Sequence, residues 1–599
     1  MNNTIANICL AVTGKILYYV FPYFQMRDTD SLHSGSISND KKLKKVLTSW
    51  DLYFLSLGAI IGSGWLFAES AAAGTAGPAA ILSWIIGGAI VLVLVLVYAE
   101  IGAMIPRSGF ITRYGHYSHG GIAGLFFGWG YFAARVAAPA LEAEAAITYA
   151  GSYITKPALI YYAKNPLDPS SSVTLLSGYG ILIAAALIAG FYFLNYFGVK
   201  LMGKTNQGIT WWKLIIPSIT IILMVFLLFH AGNFNNPALG GFLPHNNISL
   251  VFEAISTDGI VFSYLGFRHT LNFAGEAKNP QRDIPRALIY AMLTSIVVYV
   301  LLQFAFISAI NPSLLTASGG WLGLSSASAG TYAKSIDSAP FAFLAKSSSL
   351  AILAVLTYLL YADAYISPAG TLNIAAGTAT RSLYGLAEIG YFPRTFGKVS
   401  KRTGVPVFSL LISLVLGLIF LVPLPSWYVV VGLVSGVAGF TYILGGSTLM
   451  VLRREASDLK RPFKLPYARI LSPVAFIGAS LIVYWTGWPT VAYIAIILFA
   501  GFAVYLVFLA FHHVDNIFTK ENIQGGYWVP LLIIALTILS YLGESNFGGI
   551  NLFPFPYDFL VVMVVSLIFY FLSVKSGFRT SEITDMIESG EQYIDEYAE

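Results

Sequence analysis

The chain has 599 residues, of which 57% are hydrophobic and 11% charged, and its net charge is +5. Soluble globular proteins carry about 25% charged residues, so this composition excludes an ordinary soluble protein and indicates a membrane protein with many spans. The single cysteine, Cys9, excludes an intramolecular disulfide and a cysteine-based metal cage. The positive residues cluster between apolar runs, where they report membrane orientation and give no sign of a nucleic acid partner.

The N-terminal segment, residues 1–46, is predicted to be cytoplasmic. Residues 5–25 are weakly apolar and are interrupted by Lys15, after which Met26 opens a polar stretch. Residues 1–25 are therefore either absent from the native protein, with translation starting at Met26, or an extra helix. A signal peptide is the third alternative, although residues 1–8 lack the positive charge that begins one.

From Lys41 onward, apolar runs of about 20 residues recur, which is the length that a helix needs to cross about 30 Å of hydrocarbon. They predict fourteen membrane spans. These are Asp51–Ala76, Ala80–Met104, Ile122–Ile154, Leu175–Leu194, Thr210–Phe229, Val251–Ala274, Ile284–Ile310, Leu350–Leu386, Val407–Leu421, Trp427–Leu452, Ile470–Thr486, Val491–Phe511, Trp528–Leu542 and Phe559–Val574.

The loops between these spans differ in charge. If the lysine cluster at residues 41–45 is cytoplasmic, the loops on that side are rich in lysine and arginine. The opposite loops carry only Lys156, Lys164, Lys334 and Lys346. Positive loops stay in the cytoplasm, so both termini are predicted to be cytoplasmic. The acidic tail, residues 576–599, is predicted to be disordered or peripheral.

Three glycines, Gly58, Gly62 and Gly64, interrupt the first predicted span. Each costs about 1 kcal/mol relative to alanine inside a helix, and the backbone groups that a break frees are tolerated in hydrocarbon only against protein or a water-filled cavity. Broken helices hold substrate carboxylates in secondary transporters. The backbone donors predicted for such a carboxylate are Ile61, Gly62, Ser63 and Gly64. The alternative is a small-residue face for close helix packing.

The sixth predicted span has a matching interruption at residues 263–267. Two broken helices in corresponding positions are the best sequence pointer to a transporter's substrate site. The carbonyls of Phe262 and Ser263, beside Gly266, are predicted to accept from an ammonium group. A carboxylate at the first break and an ammonium at the second fit a zwitterionic amino acid.

Four groups of motifs carry a resemblance to a known family. They are Gly58–Gly64, Tyr98–Glu100 with Pro106–Gly109, Gly275–Pro285, and Thr380–Tyr384 with Gly390–Pro393. Through them the chain resembles the amino acid-polyamine-organocation superfamily of permeases over residues 47–454. Three further segments, Pro139–Ala145, Gly266–Arg268 and Asp363–Thr371, are similar to its branch typified by aspartate-proton symporters.

The resemblance implies an all-α polytopic membrane fold. Its transporter core, residues 47–454, would consist of two inverted repeats of five spans each, at about 47–230 and 251–454, with helices 1 and 6 broken. Four peripheral spans would follow over residues 455–575.

Charged residues inside predicted spans are candidates for a functional site, because each costs about 2.5 to 3.5 kcal/mol on insertion. Arg268 follows the second break, where a guanidinium would bind the second carboxylate of an acidic substrate. The alternatives are that Arg268 neutralises Glu142 or Glu144, or that it lines an inner vestibule.

Lys213 opens the fifth predicted span. The resemblance implies that it is a proton-coupling lysine that lies against the first and eighth helices, where sodium-coupled relatives hold a cation. Ser367 and Thr371 share a face of the eighth helix and are predicted to bind this ammonium, or a sodium ion in the alternative. The other interpretation is that Lys213 extends its long side chain to the cytoplasmic surface.

A charged cavity is predicted from Arg135, Glu142, Glu144 and Asp363. The two glutamates face different directions on a helix, and Arg135 lies seven residues before Glu142, on nearly the same face. Either Arg135 pairs with Glu142 and Glu144 faces the cavity, or the reverse. Asp363 is either part of this cavity or structural.

These features predict a secondary-active symporter of the cell membrane that carries an amino acid inward with a proton, acidic substrates being favoured. The alternatives are a neutral or broad amino acid permease or exchanger and, from a different class, a nutrient receptor that does not transport. No enzyme, cofactor or metal is predicted: the chain has no phosphate-binding loop, and His116 and His119 lack partners at ligand spacing.

Overall fold

The computed structural model describes residues 45, 47–107, 111–165, 172–197, 199–324, 336–422 and 425–589. Over these residues the protein is helical apart from loops and one antiparallel hairpin of β1 (Ile160–Lys164) and β2 (Ser172–Leu176), in which Ile160 pairs with Leu176. The predicted all-α class is confirmed, with this hairpin as an addition. The predictions made for residues 1–44 lie outside the described residues.

The α-helices are labelled in chain order. They are α1 (Ser49–Ile60), α2 (Gly64–Ala76), α3 (Ala80–Met104), α4 (Ile111–Gly151), α5 (Gly178–Tyr196), α6 (Val199–Leu227), α7 (Ser249–Thr257), α8 (Ile260–Tyr264), α9 (His269–Asn272), α10 (Pro280–Ala309), α11 (Pro312–Ala317), α12 (Pro340–Lys346), α13 (Ala351–Glu388), α14 (Val407–Leu421), α15 (Trp427–Glu455), α16 (Ala468–Tyr484), α17 (Thr490–Ala510), α18 (Lys520–Gly526), α19 (Trp528–Leu542), α20 (Tyr557–Ser576) and α21 (Ser581–Glu588).

Each predicted span coincides with one helix or one broken pair of helices. In the described part of the chain, ten stretches are long and apolar enough to cross a membrane, and α7 with α8 and α9 makes an eleventh. Helices α14 and α16 are shorter but apolar. One of the ten, Gly64–Met104, contains both α2 and α3, which Gly77 separates with a φ of 59°. Helices α3, α14 and α19 have the predicted bounds.

The two ends of the helical bundle carry different structures. The hairpin lies at one of them, the hairpin end, where Thr174 donates hydrogen bonds from its N–H and Oγ1 to Asp337 at 3.1 and 2.6 Å. Helix α21 lies at the opposite end, the tail end, where Glu582 Oε1 is 2.7 Å from His116 Nε2 at the start of α4. Residues 581–588 of the tail are thus a peripheral helix, and residues 590–599 lie outside the described part.

The first span is broken as predicted. Helix α1 ends at Ile60, Ile61 has extended backbone, and α2 begins at Gly64. A Cβ atom at Gly62 would lie 2.7 Å from Thr371 Oγ1 and 2.8 Å from Glu142 Oε1. Glycine is needed at this position because side chains from two other spans lie against the backbone.

The sixth span is also broken, and it bends at a position that the sequence analysis did not single out. The chain bends by 54° between α7 and α8, at Gly259, whose φ is 88°. At the predicted interruption, residues 263–267, the α-helix ends at Tyr264 and gives way to a 3₁₀ turn over Leu265–Arg268. Gly259 turns the chain because glycine adopts a positive φ without strain, whereas Gly266 permits a close contact.

Gly266 brings the two broken spans into direct backbone contact. A Cβ atom at this position would overlap the backbone carbon of Ala59 and the backbone nitrogen of Ile60. Because these are main-chain atoms, a side-chain rotation cannot relieve the overlap. The second broken span therefore lies directly against the end of α1.

Replacing Gly266 by alanine should separate the two broken spans. Overpacking typically costs 1 to 3 kcal/mol, so we expect Gly266→Ala to lower the melting temperature of the purified protein by several degrees. The control is Gly190→Ala in α5, where a Cβ atom meets nothing within 4 Å and alanine favours the helix. Equal melting temperatures for both variants would contradict the contact.

Asp337 should make stability at the hairpin end depend on pH. Burial raises the pKa of Asp337 from 3.8 to about 6, so the folded protein holds this proton more tightly than the unfolded chain does. The resulting stability is fully present below pH 3.8 and is lost as the pH rises through about 6. We expect the melting temperature of the wild type to fall relative to Asp337→Asn between about pH 5 and pH 7.5, since asparagine keeps the acceptor but does not ionise. A difference that is constant with pH would show that ionisation of Asp337 does not matter.

Candidate functional site

Lys213 lies at the first break. Its side chain in α6 is fully buried, and its ammonium donates to the Gly58 carbonyl at 2.6 Å and to Thr371 Oγ1 in α13 at 2.7 Å. A side chain with no exposed area does not reach the membrane surface, so the alternative interpretation of Lys213 does not hold in this structure. Ser367, the other predicted ligand, instead donates to Asp363 Oδ1 at 2.6 Å. The ammonium therefore joins α1 to α13 through Thr371.

A carboxylate already occupies the start of α2. The Ser63 N–H donates to Glu142 Oε2 at 2.9 Å, and both residues are fully buried. The first N–H groups of a helix attract anions because they are unpaired and lie at the positive end of the helix dipole. The Ile61 N–H differs from the prediction, because it donates to the Leu57 carbonyl at 2.9 Å and is not available to a ligand.

One tyrosine in α10 contacts both breaks. Tyr299 OH donates to the Ile60 carbonyl at 2.9 Å and approaches the Ser263 carbonyl at 3.4 Å. Ser263 Oγ donates to the Gly259 carbonyl at 2.8 Å. The predicted acceptor at Ser263 thus already has a hydroxyl partner, whereas Phe262 lines the central cavity.

The central cavity between the two breaks is small. Its volume is about 20 Å³, roughly the space of one water molecule, so an amino acid enters only if the surrounding helices move. Of the predicted site residues, five line it: Phe262, Gly266, Arg135, Glu142 and Thr371. His269, which the sequence analysis did not single out, lines it as well.

Arg135 pairs with a histidine and not with a glutamate. Its Nη1 lies 2.8 Å from His269 Nε2, and His269 Nδ1 lies 2.8 Å from Thr378 Oγ1. An arginine can only donate, so Nε2 is the acceptor and the imidazole is neutral, with its proton on Nδ1. In the described part of the chain, no carboxylate lies within ion-pair distance of Arg135, so neither predicted pairing with Glu142 or Glu144 is formed.

Arg268 lies outside the lining of the central cavity. Its guanidinium packs on the ring of Tyr442 at 3.9 Å and on that of Tyr131 at 4.9 Å, and it donates to Thr441 Oγ1 at 2.8 Å. The ring of Tyr131 also contacts the guanidinium of Arg135, at 5.4 Å. The two arginines therefore share one aromatic neighbour, and only Arg135 reaches the cavity.

The remaining predicted charged residues lie apart from this cavity. Glu144 is fully buried and its carboxyl has no hydrogen-bond partner among the described residues, while Asp363 accepts a hydrogen bond from Ser367.

At the tail end, His116 contacts Tyr391 and Glu582. No group of three or more potential metal ligands is found within the described residues.

A second, larger cavity of about 570 Å³ lies at the hairpin end. Aromatic rings separate it from the central cavity. Trp427 packs against Phe262, which lines the central cavity, and against Tyr428, which lines the larger one. The Trp427 Nε1–H also donates to Ser63 Oγ at 2.9 Å, which ties this aromatic layer to the first break.

The tail end is closed by charge pairs. Glu100, fully buried at the end of α3, accepts two hydrogen bonds from Arg453, from Nε at 2.9 Å and from Nη2 at 2.5 Å. It also accepts from the Leu465 N–H at 2.6 Å. Arg381 lies 3.5 Å from Glu276. The central cavity is thus covered on both sides.

His269, Tyr299 and Trp427 were missed in the sequence. A signal existed for His269, since polar residues inside a span mark candidate sites by the same argument as charged ones. For Tyr299 and Trp427 the sequence gives no comparable signal, because aromatic residues are common in membrane spans and the contacts join distant spans.

Comparisons with known proteins agree with the motifs. A family model described as amino acid permease matches residues 47–492. The chain is 36% identical over 558 residues to the glutamate/serine transporter AimA of Bacillus subtilis (strain 168), covering 93% of this chain and 98% of that protein. It is 35% identical over 548 residues to the aspartate-proton symporter of the same organism, covering 91% and 99%.

A more distant relative is the branched-chain amino acid permease BcaP of the same organism, 24% identical over 490 residues, covering 80% of this chain and 96% of that protein. The family model and the two nearer relatives each extend over both broken spans and most of the bundle. The resemblance inferred from the motifs is confirmed: the chain belongs to the amino acid permease family of the amino acid-polyamine-organocation superfamily, and it is a multi-pass membrane protein that transports amino acids and is not an enzyme.

Proposed function

We propose that the chain is a proton-coupled symporter that carries an amino acid into the cell, with aspartate and glutamate favoured. The observation that carries this proposal is the buried Lys213 ammonium, which joins Gly58 at the first break to Thr371 in α13. Loss of one proton from this group removes a charge that holds α1 to α13. Binding and release of a proton at Lys213 would thus couple to movement at the break. The sodium alternative is disfavoured because the ammonium already occupies the space between these oxygens.

The proposed membrane orientation follows from the loop charges. The tail end carries Arg453 in the last turn of α15 and Arg461 and Lys464 between α15 and α16, whereas the described loops at the hairpin end are poor in cations. Positive loops stay in the cytoplasm, so the tail end and both termini are proposed to be cytoplasmic in the cell membrane. The cavity of about 570 Å³ would then be an extracellular vestibule.

The substrate's α-carboxylate is proposed to bind at the start of α2. Glu142 now occupies the Ser63 N–H, which supports this position as a carboxylate site. Donors at Gly62, Ser63 and Gly64 would hold the substrate, and the carbonyls near Phe262 and Ser263 would accept from its ammonium. Binding would displace Glu142 from Ser63 and Tyr299 from Ser263.

An acidic side chain is proposed to be held by the positive region formed by Arg135 and Arg268. Two relatives carry names that mention acidic substrates, one a glutamate/serine transporter and one an aspartate-proton symporter. The second candidate is a neutral or broad amino acid permease or exchanger. It is favoured by the position of Arg268 behind the cavity lining.

Access is proposed to alternate by rocking one group of helices against the rest. The moving group would contain α1, α2, α3, α7 to α10, which includes both broken spans. The tail-end pair of Glu100 with Arg453 would open when the site faces the cytoplasm, and the aromatic layer at Trp427 would open when it faces outward.

Lys213→Ala tests proton coupling. We expect purified wild-type protein in proteoliposomes to accumulate labelled aspartate against its gradient when an inward proton gradient is imposed, and Lys213→Ala to lose that accumulation. An exchange of internal for external aspartate without a gradient should persist at a lower rate, since the substrate site remains. The matched control is Lys398→Ala at an exposed position.

Two outcomes of that experiment would overturn parts of the proposal. Accumulation by Lys213→Ala equal to that of the wild type would exclude Lys213 as the coupling group. Accumulation of leucine instead of aspartate by the wild type would favour the neutral permease. An inward sodium gradient imposed separately distinguishes the two cations.

Single cysteines test the orientation. In a Cys9→Ser background, Gly178→Cys places a thiol at the hairpin end and Lys401→Cys places one at the tail end, both exposed. We expect a membrane-impermeant maleimide added to intact cells to label residue 178 and to spare residue 401 until the cells are lysed. The reverse pattern would invert the proposed topology.

A further inference from the structure

We propose that Arg135 is the residue that selects an acidic side chain over a neutral one. The inference rests on the proposed function, because it assigns the substrate specificity of that same site to one guanidinium. Arg135 is 3% exposed and lies within α4. Inserting a charged residue into the membrane costs free energy, so a cation buried in a span is a candidate for a functional site.

The charge of Arg135 has no anionic partner among the residues that the structure describes. Its one hydrogen-bond partner is His269, which accepts as a neutral imidazole, and its Nε atom has no partner among the described residues. A buried charge that lacks an opposite charge is strongly destabilising relative to a paired one. A carboxylate that arrived at Arg135 would therefore supply the opposite charge that this guanidinium lacks.

The orientation of Arg135 is fixed in advance. His269 Nδ1 donates to Thr378 Oγ1, and this hydroxyl in turn donates to the Ile374 carbonyl at 2.9 Å. The chain of bonds determines which nitrogen of His269 accepts, and thereby holds one edge of the Arg135 guanidinium. The remaining N–H groups of the guanidinium can donate to a ligand. A planar guanidinium in a fixed orientation can form two parallel hydrogen bonds with a carboxylate.

Arg135 lies in the same cavity as the proposed site of the substrate's α-carboxylate. Arg135 and Glu142 line the same cavity, and they lie seven positions, or about two helical turns, apart in α4. Glu142 marks the proposed α-carboxylate position at Ser63. A substrate with one carboxylate at Ser63 would direct its side chain along the cavity toward Arg135.

Arg268 supports this site without touching it. Its guanidinium is held between Tyr442 and Tyr131 and bonded to Thr441, and it is absent from the cavity lining. The Tyr131 ring also contacts the guanidinium of Arg135. Arg268 therefore adds positive potential behind Arg135 and positions the aromatic ring, whereas Arg135 is the group that meets the substrate.

The test compares aspartate with serine, a small amino acid that lacks the second carboxylate. Initial uptake rates at several concentrations would be measured in proteoliposomes with an inward proton gradient. For Arg135→Gln we expect kcat/KM for aspartate to fall about ten- to hundredfold, the range of a lost charge-assisted bond, and kcat/KM for serine to change less than about threefold. Equal losses for both amino acids would show a structural role and overturn the inference.

Two further variants keep the test decisive. Arg135→Lys preserves the charge but not the planar guanidinium, so we expect the aspartate preference to be reduced but retained. If Arg135→Gln does not fold, an equal loss of aspartate and serine uptake in Arg135→Lys overturns the inference. Arg268→Gln should reduce the aspartate preference less than Arg135→Gln does, because Arg268 adds positive potential from behind the cavity lining and does not line the cavity. Loss of the aspartate preference in Arg268→Gln alone would assign selection to Arg268 instead.

A binding measurement separates this inference from the proposed symport. Aspartate and serine would each be titrated into detergent-purified protein without any gradient, with thermal stabilisation as the readout. Preferential stabilisation of the wild type by aspartate, lost in Arg135→Gln, supports the inference even if proton-driven accumulation fails. A wild type that is stabilised by serine as strongly as by aspartate overturns it.

Discussion

The break in the first span requires that every backbone group it frees finds a partner inside the membrane. Water is absent from hydrocarbon, and an unpaired N–H or C=O there costs several kcal/mol. The Gly58 carbonyl is bound by Lys213, the Ser63 N–H by Glu142, and the Ile60 carbonyl by a tyrosine hydroxyl. These partners come from α6, α4 and α10, so three other spans are held in register by the break.

Two of these partners, Glu142 and Lys213, also take part in the proposed binding of substrate and proton. The Glu142 carboxylate lies at the proposed position of the substrate carboxylate, and the Lys213 ammonium is the proposed carrier of the coupling proton. The cavity between the two breaks has a volume of about 20 Å³. The partner of Arg135, His269, carries no charge. The positive charge of Arg135 is therefore not balanced by its hydrogen-bond partner, and the proposed acidic side chain of the substrate would supply the opposite charge.

Features that depend on local sequence were predictable, and features that depend on contacts between spans were not. The apolar run length gave the bounds of α3 and α14, and the glycine cluster gave the break after Ile60. The bend of the sixth span at Gly259 was not predicted because Gly259 and Gly266 look alike in sequence, and only packing decides which one turns the chain. The partner of Arg135 lies 134 residues away, a separation at which spacing on a helix carries no information.

The contact between α21 and α4 also has a consequence for biosynthesis. Glu582 follows His116 by 466 residues, and a chain is synthesised and inserted from its N-terminus. Every span of the bundle has therefore been made before the carboxylate that contacts this imidazole emerges from the ribosome. Closure of the tail end is thus among the last steps of assembly, and a ribosome that stalls before residue 582 leaves a complete set of spans in which the contact between α21 and α4 has not yet formed.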